Sequence, residues 1–567
     1  MPSPSPRRTA AIVATTAAVC ALTLTPLTAA SAAIVPDPIT HSADAAALAL
    51  APLGTYETGV FDASAAEIVK AHGDRLYVVN AQAGAVEVLD YSDPASIAFE
   101  YAIESDGIAN SVSIRADGLG VIAFEASVKT DAGHLVFFDA NADDAEDAYL
   151  GEVTVGALPD MVTITSDGKY AVVANEGEPA DDYTVDPEGS VSVVKLHPTK
   201  LRASNQGNVR TADFHAFEEG GSKTLPADVR VFGEVPEAGN PVSRNLEPEY
   251  ITVVGTTAYV TLQEANAVAV VNLNSATVND IWSLGFKDLG VPGNGIDPSD
   301  RDPRNAPTFG IRTFEDLYGI YMPDAIDSYS ADGETYLVTA NEGDAREWGD
   351  YVEPVRVADL EDDGYGPVCA DSPLAGLTGA ADLGRLNVTI ANGFDAEAKC
   401  YSELYAFGGR SFSIWTTGGE QVFDSGDAFE QITHAAAPEF FNSNHTESNL
   451  EGRSDDKGPE PESVVIGEIG DRTYAFIGFE RVGGIAVFDV TTPAESFFVT
   501  YVNNRDFSVS VEDADDTDAA LASAGDLGPE GIAFIPAASS ATGTPLLAVG
   551  NEVSGTTTLF EITELLD

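Results

Sequence analysis

The chain has 567 residues, of which 44% are hydrophobic, with 91 acidic residues against 28 basic ones and a formal net charge of −63. That apolar content is too high for a disordered acidic protein, and that charge repels nucleic acid and anionic lipid headgroups while attracting divalent cations. A chain of this length holds one large repeat domain or several small ones.

Taken in order, the chain opens on a targeting segment. Arg7 and Arg8 precede an Ala-rich apolar run from Ala10 to Leu27, and Ala30-Ser31-Ala32 offers a small-residue cleavage site. Residues 1–32 therefore read as a signal peptide, with Sec and twin-arginine export both open, and residues 33–49 as an N-terminal extension. No other stretch is long and apolar enough to span a bilayer. The mature chain is expected outside the cell or at its surface, without a transmembrane anchor, and as a monomer.

From residue 50 to 567 one pattern recurs seven times. The third copy displays it best: two β-branched alternating runs, MVTIT and YAVVAN, joined by Ser166-Asp167-Gly168, then GSVSVVKL after an acidic loop. The other copies start at Ala66, Ala109, Pro248, Pro323, Pro461 and Pro529, and most are followed by a fourth alternating run such as AYLGEVTV or ATVNDIWSL. Units of three or four strands are too small to hold a core alone. The expectation is all-β: a seven-bladed β-propeller with long loop insertions on one face. The seventh copy lacks a fourth run, so Leu50–Thr58 is predicted to pair there and close the ring, removing an exposed edge.

Long connections separate some of these strands, around residues 274–321 and 428–460. The fifth copy carries the longest insertion, residues 344–408, and its third strand is displaced to GRSFSIWTT. Loops of that length in compact domains are usually functional or disordered. The insertion holds Cys369 and Cys400, the two cysteines left after the leader, and an oxidising compartment invites a disulfide between them.

Aligning the copies places Glu67, Asn110, Asp160, Glu249, Asp324, Glu462 and Glu530 at the starts of the first strands. Glu125, Glu176, Glu264, Glu342, Glu480 and Glu552 fall at the ends of the second strands. Twelve carboxylates are thus expected at one channel mouth, where crowding demands a bound cation, a basic partner or a protonated member. In a purely structural reading these acids accept backbone amides of the next blade. In a functional reading Asp160, Glu176, Asp324, Glu342, Glu462 and Glu480 hold a divalent metal. Calcium is favoured because the donors are oxygens, with Asn175, Gln263, Asn341 and Asn551 offering amides in register. Arg346, Arg453 and Lys457 stand out as basic residues that either neutralise the acids or bind an anion beside the metal. His445 is a candidate proton shuttle.

NEGEPADDYTVDPEGSVSVV, TANEGDAREW, GRSFSIW and RSDDKGPEPE together resemble the choice-of-anchor I family, which is related to mesenchyme-specific cell-surface glycoproteins. The resemblance implies an exported propeller, tethered in most members by a C-terminal anchor and often labelled alkaline phosphatase. The ending Glu564-Leu565-Leu566-Asp567 carries no sorting motif or apolar tail, so secretion is expected. Two functions stand open. One is a metal-dependent hydrolase of phosphoesters or related anionic esters, acting on a small anionic substrate through metal-activated water. The other is a non-catalytic binding module for an extracellular ligand, with structural calcium.

Overall fold

The computed structural model describes residues 34–233 and 241–565. The segment read as a signal peptide lies outside them. The described residues form six four-stranded sheets and one five-stranded sheet, all antiparallel, together with short pairings in the loops.

The third copy shows how sequence builds the unit. Pro159–Ile164, Tyr170–Asn175, Ser190–Lys195 and Val209–Ala212 pair in that order. The first turn closes with the Gly168 amide donating to the Thr165 carbonyl (2.7 Å), and Gly168 takes the left-handed φ of +67° that a side chain disfavours. Asp167 caps the turn by accepting the Lys169 amide.

Each sheet is apolar on both faces and buries them against its neighbours. Val172 and Val193 of the third sheet share a core with Val260 and Val271 of the fourth, while Val173 and Val194 share another with Val121 and Phe137 of the second. The same holds between first and second, fourth and fifth, fifth and sixth, sixth and seventh, and seventh and first. A thin sheet gains its core only from the sheets beside it, which is the propeller principle.

Strand Leu48–Glu57 pairs antiparallel with Thr556–Glu564, from Leu48 opposite Glu564 to Glu57 opposite Thr556, with a one-residue bulge between Pro52 and Gly54. Part of the stretch read as an extension is also sheet: Ile39–Ser42 pairs along Phe497–Asn503 as a fifth strand. The alternation there spans only four residues, too short to register as a strand in the sequence.

In the fifth copy Glu334–Asn341 pairs directly with Ser411–Thr416, as the displaced third run implied. The intervening insertion is ordered. It carries short pairings such as Pro354–Arg356 with Asn387–Thr389, and Cys369 is joined to Cys400. Leu360, Leu383 and Leu386 build a core with Leu289, Phe314 and Leu317 of the preceding connection. Leu317–Ile320 and Leu404–Phe407 run parallel, tying the two segments together.

Candidate metal centre

The acids reach one mouth through a repeated irregularity. The ladder between first and second strands slips after Pro159, Pro248, Pro461 and Pro529, so the acid following each proline sits in a bulge. Proline removes a ladder donor, and a bulge re-aims the next side chain off the regular pleat. Leu158 and Glu460, each directly before such a proline, adopt left-handed φ of 42° and 54°, as does Met322 (44°) before Pro323 of the fifth copy. That conformation is costly for residues with a Cβ and turns the chain sharply at the mouth.

The structure sorts the predicted acids into distinct groups. Carboxylate oxygens of Glu342, Glu462 and Glu480 lie within 4.8 Å of one another, and so do those of Glu176, Glu249 and Glu264. Glu480 also meets His445 and Glu552. Asp160 and Asp324 lie elsewhere, lining a cavity of ≈ 140 Å³ with Glu67, Asn110 and Glu530. Tyr250 lines it too, and its ring packs against cores from four different sheet interfaces, as only a side chain near the middle of the ring can. Among the described residues, the six acids singled out above thus share no single group of carboxylate oxygens within 4.8 Å.

Burial, then mutual repulsion, pushes most of these groups up. Glu67 is raised to about 8 by burial and by Glu552, and Asp160 to about 7 by burial and by Glu178. Glu176, Glu249, Glu264, Asp324, Glu462 and Glu530 are all driven well above the usual carboxylate range, first by burial and then by neighbouring acids. Among the described residues, the side chains of Asp160, Glu176, Glu249, Asp324, Glu462 and Glu530 accept no backbone amide. The hydrogen-bonding role weighed for them from sequence is not the one they play. The serines of the second sheet do that work: Ser111 and Ser113 accept the Val162 and Ile164 amides of the third.

The amides offered as metal donors are placed differently from expectation. Asn175 donates to Ser190 and Ser192 while its Oδ1 accepts the Gly156 amide. Asn341 donates to Ser411 and Ser413, and Asn551 to Thr556. These buried asparagines pin second strand to third. Gln263 donates to Glu342 at 2.8 Å.

The basic residues are paired with the acids. Lys457 Nζ lies 2.5 Å from Glu342 and 3.0 Å from Glu460, and Arg453 Nη2 lies 2.6 Å from Glu460. Arg346 is buried, bonded to Glu247 and to Asn245 (2.8 Å), with its face over Phe232. Sequence reading missed Arg481, which contacts Glu480 at 2.9 Å and Glu460 at 3.0 Å. It also missed Glu460, the buried hub. Burial opposes the Glu460 charge, but Lys457, Arg453 and Arg481 together hold it well below the ordinary range. An arginine beside an aligned acid, in Glu480-Arg481, was the available signal. Glu480 is likewise lowered: burial works against it, and Arg481 and His445 prevail. Beside this network opens a pocket of ≈ 410 Å³ whose lining includes Glu178, Asp344, Trp348, Phe407, Lys457 and Arg481.

A family model for the choice-of-anchor I domain matches residues 67–493. The chain belongs to the choice-of-anchor I family. This choice-of-anchor I protein is 32% identical over 335 residues to a mesenchyme-specific cell surface glycoprotein of Strongylocentrotus purpuratus, covering 51% of this chain and 42% of that one. It is 30% identical over 187 residues to gigasin-3a of Magallana gigas, covering 32% and 64%. It thus spans less than two thirds of the length of either relative. Among solved structures, hydrazine synthase of Kuenenia stuttgartiensis aligns at TM-score 0.42 and 12% identity, covering 89% of this chain and 99% of that one. Virginiamycin B lyase of Staphylococcus aureus aligns at 0.40 and 9%, covering 91% and 100%.

Proposed function

We propose that this choice-of-anchor I protein is a non-catalytic extracellular binding module, a seven-bladed propeller closed by Leu48–Glu57, whose mouth holds a divalent cation between Glu176, Glu249 and Glu264. One observation carries the cation. Glu249 and Glu264 are only 6% and 8% exposed, and the Oε2 atom of each has no hydrogen-bond partner. Buried carboxylate oxygens without partners are costly, and a hard cation satisfies several at once. The Glu342–Glu462–Glu480 group differs, because Lys457 and Arg481 already touch it. Calcium is the ion of choice, since the donors are all oxygens and a loop-bounded site tolerates irregular geometry.

The binding reading is preferred to the hydrolase reading because Arg346, Arg453 and Lys457 are spent on carboxylates. An ester hydrolase needs a cation free to hold its anionic substrate. The disulfide, the family and the cell-surface name of the sea-urchin relative support an extracellular setting. The ligand would enter the ≈ 410 Å³ pocket, whose acids and aromatic walls suit a cationic group.

Calorimetric titration of chelator-treated protein with calcium tests this. Binding is expected, with one ion lost in the Glu249→Gln, Glu264→Gln double variant. No difference between wild type and that variant would overturn the mouth site. Chelator-sensitive turnover of chromogenic phosphoesters would restore the hydrolase.

A further inference from the structure

The two long connections on the mouth face converge on a second acidic centre, remote in sequence from the aligned acids. Its anchor is Glu430, in helix Ala428–Ala436. One oxygen, Oε1, accepts Arg410 Nη1 (2.6 Å) and Asn442 Nδ2 (2.9 Å), and the other accepts the Asp297 amide (3.2 Å). Asp297 and Asn442 are thereby fixed on one carboxylate. Glu451 is tied in beside them, its amide donating to the carbonyl of Phe441 (2.7 Å), the residue before Asn442.

Asp297, Asn442 and Glu451 are each 0% exposed. Asp297 Oδ2 accepts the Gly310 amide (2.6 Å), and Asn442 Nδ2 also donates to Ser454 Oγ (3.0 Å). What remains is four buried oxygens without hydrogen-bond partners: Asp297 Oδ1, Asn442 Oδ1 and both oxygens of Glu451. Every one is an acceptor. Each needs a donor or a cation, and a hard cation satisfies carboxylate and amide oxygens alike.

The charge balance points the same way. Arg410 offsets Glu430 and spends three further donors on the carbonyls of Asp297, Ser454 and Asp456. Asp300 is held by Arg301 and Arg385. No basic side chain bonds the carboxylates of Asp297 or Glu451 among the described residues, so neither carries a bonded counter-charge. Asp302 stands close by: a Cβ on Gly310 would lie 3.6 Å from Asp302 Oδ2 and 3.9 Å from Asp297 Oδ2. Both carboxylates therefore flank Gly310.

We propose that Asp297, Asn442 and Glu451, the last through both oxygens, form a second divalent-cation site that fastens the connection before the fifth copy to the connection before the sixth. An all-oxygen set with a two-oxygen carboxylate and an amide is the donor chemistry of calcium, and it contains no thiol or imidazole to favour zinc.

Native mass spectrometry and calorimetry on the mature chain, stripped with chelator and titrated with calcium, test the proposal. Glu451→Gln should bind one ion fewer than wild type. It should also lose calcium protection against proteolysis within residues 428–460. Asp297→Asn, which keeps the Gly310 bond and much the same shape, should weaken that ion at least tenfold. The Glu249→Gln, Glu264→Gln variant should retain it, so the two sites fail separately. Unchanged stoichiometry in folded Glu451→Gln and Asp297→Asn, with wild-type protease protection, would overturn the second site. An ion lost only with Glu451 would support this site and remove the one at the mouth.

Discussion

Nε of Arg481 lies 3.0 Å from Oε2 of Glu460, linking the end of one strand to the residue just ahead of its partner. Arg453 and Lys457 meet the same carboxylate, so one buried acid organises three cations at the mouth. Two further acids, Glu342 and Glu480, hang from that arrangement.

Replacing Glu460 with glutamine should therefore be severe. It leaves three partly buried cations short of their shared counter-charge, and breaking a buried pair from one side costs about 3–5 kcal/mol. Denaturant unfolding should show a lower midpoint with unchanged slope. Stability within 1 kcal/mol of wild type would mean that the network is dispensable.

The metal-free protein should lose stability as the pH rises from about 4.5 to about 8. Glu67 and Glu552 are raised to about 8, and Asp160 and Glu342 to about 7, each first by burial. An acid raised by folding keeps its proton longer in the folded state. Between the ordinary and raised values the folded chain holds more protons than the unfolded one, so stability falls as the pH rises through that window. Glu460 and Glu480 are lowered instead, and their contribution disappears on acidification below about 4.5. Calcium should flatten the alkaline decline by replacing protons with metal. Thermal melts across pH, with and without calcium, measure both effects.

Deleting residues 34–57 removes both N-terminal strands. The sheet ending in Thr556–Glu564 then presents an open edge, and so does Phe497–Asn503. A fall in melting temperature of several degrees is expected, with a rise in aggregation on light scattering. An unchanged melt would argue against ring closure by this segment.

Changing Cys369 and Cys400 to serine should affect the insertion alone. The bond spans 31 residues within the insertion, whose apolar core is shared with the preceding connection and not with the propeller sheets. Protease cleavage between residues 344 and 408 should accelerate, while far-ultraviolet circular dichroism stays that of an all-β protein. Global unfolding of the double variant would mean that the insertion supports the sheets.

The strands, their turns and the four-run unit were legible in the sequence, because alternation with period two and Asp-Gly turns are local properties of the chain. The displaced third run after residue 408 was legible for the same reason. The disulfide needed only two cysteines and an oxidising compartment. The grouping of the acids was not local. Glu176 meets Glu249 and Glu264 across adjacent sheets, while Glu342 meets Glu462 and Glu480, and alignment of copies gives each acid an equivalent place without saying which neighbours lack a cation. Glu460, Arg481 and Glu451 fall outside the repeat register, so periodicity was silent about them. Their roles arise only when loops far apart in the chain fold over one mouth. There burial, which no local pattern encodes, decides whether a carboxylate is paired, protonated or left to bind a metal.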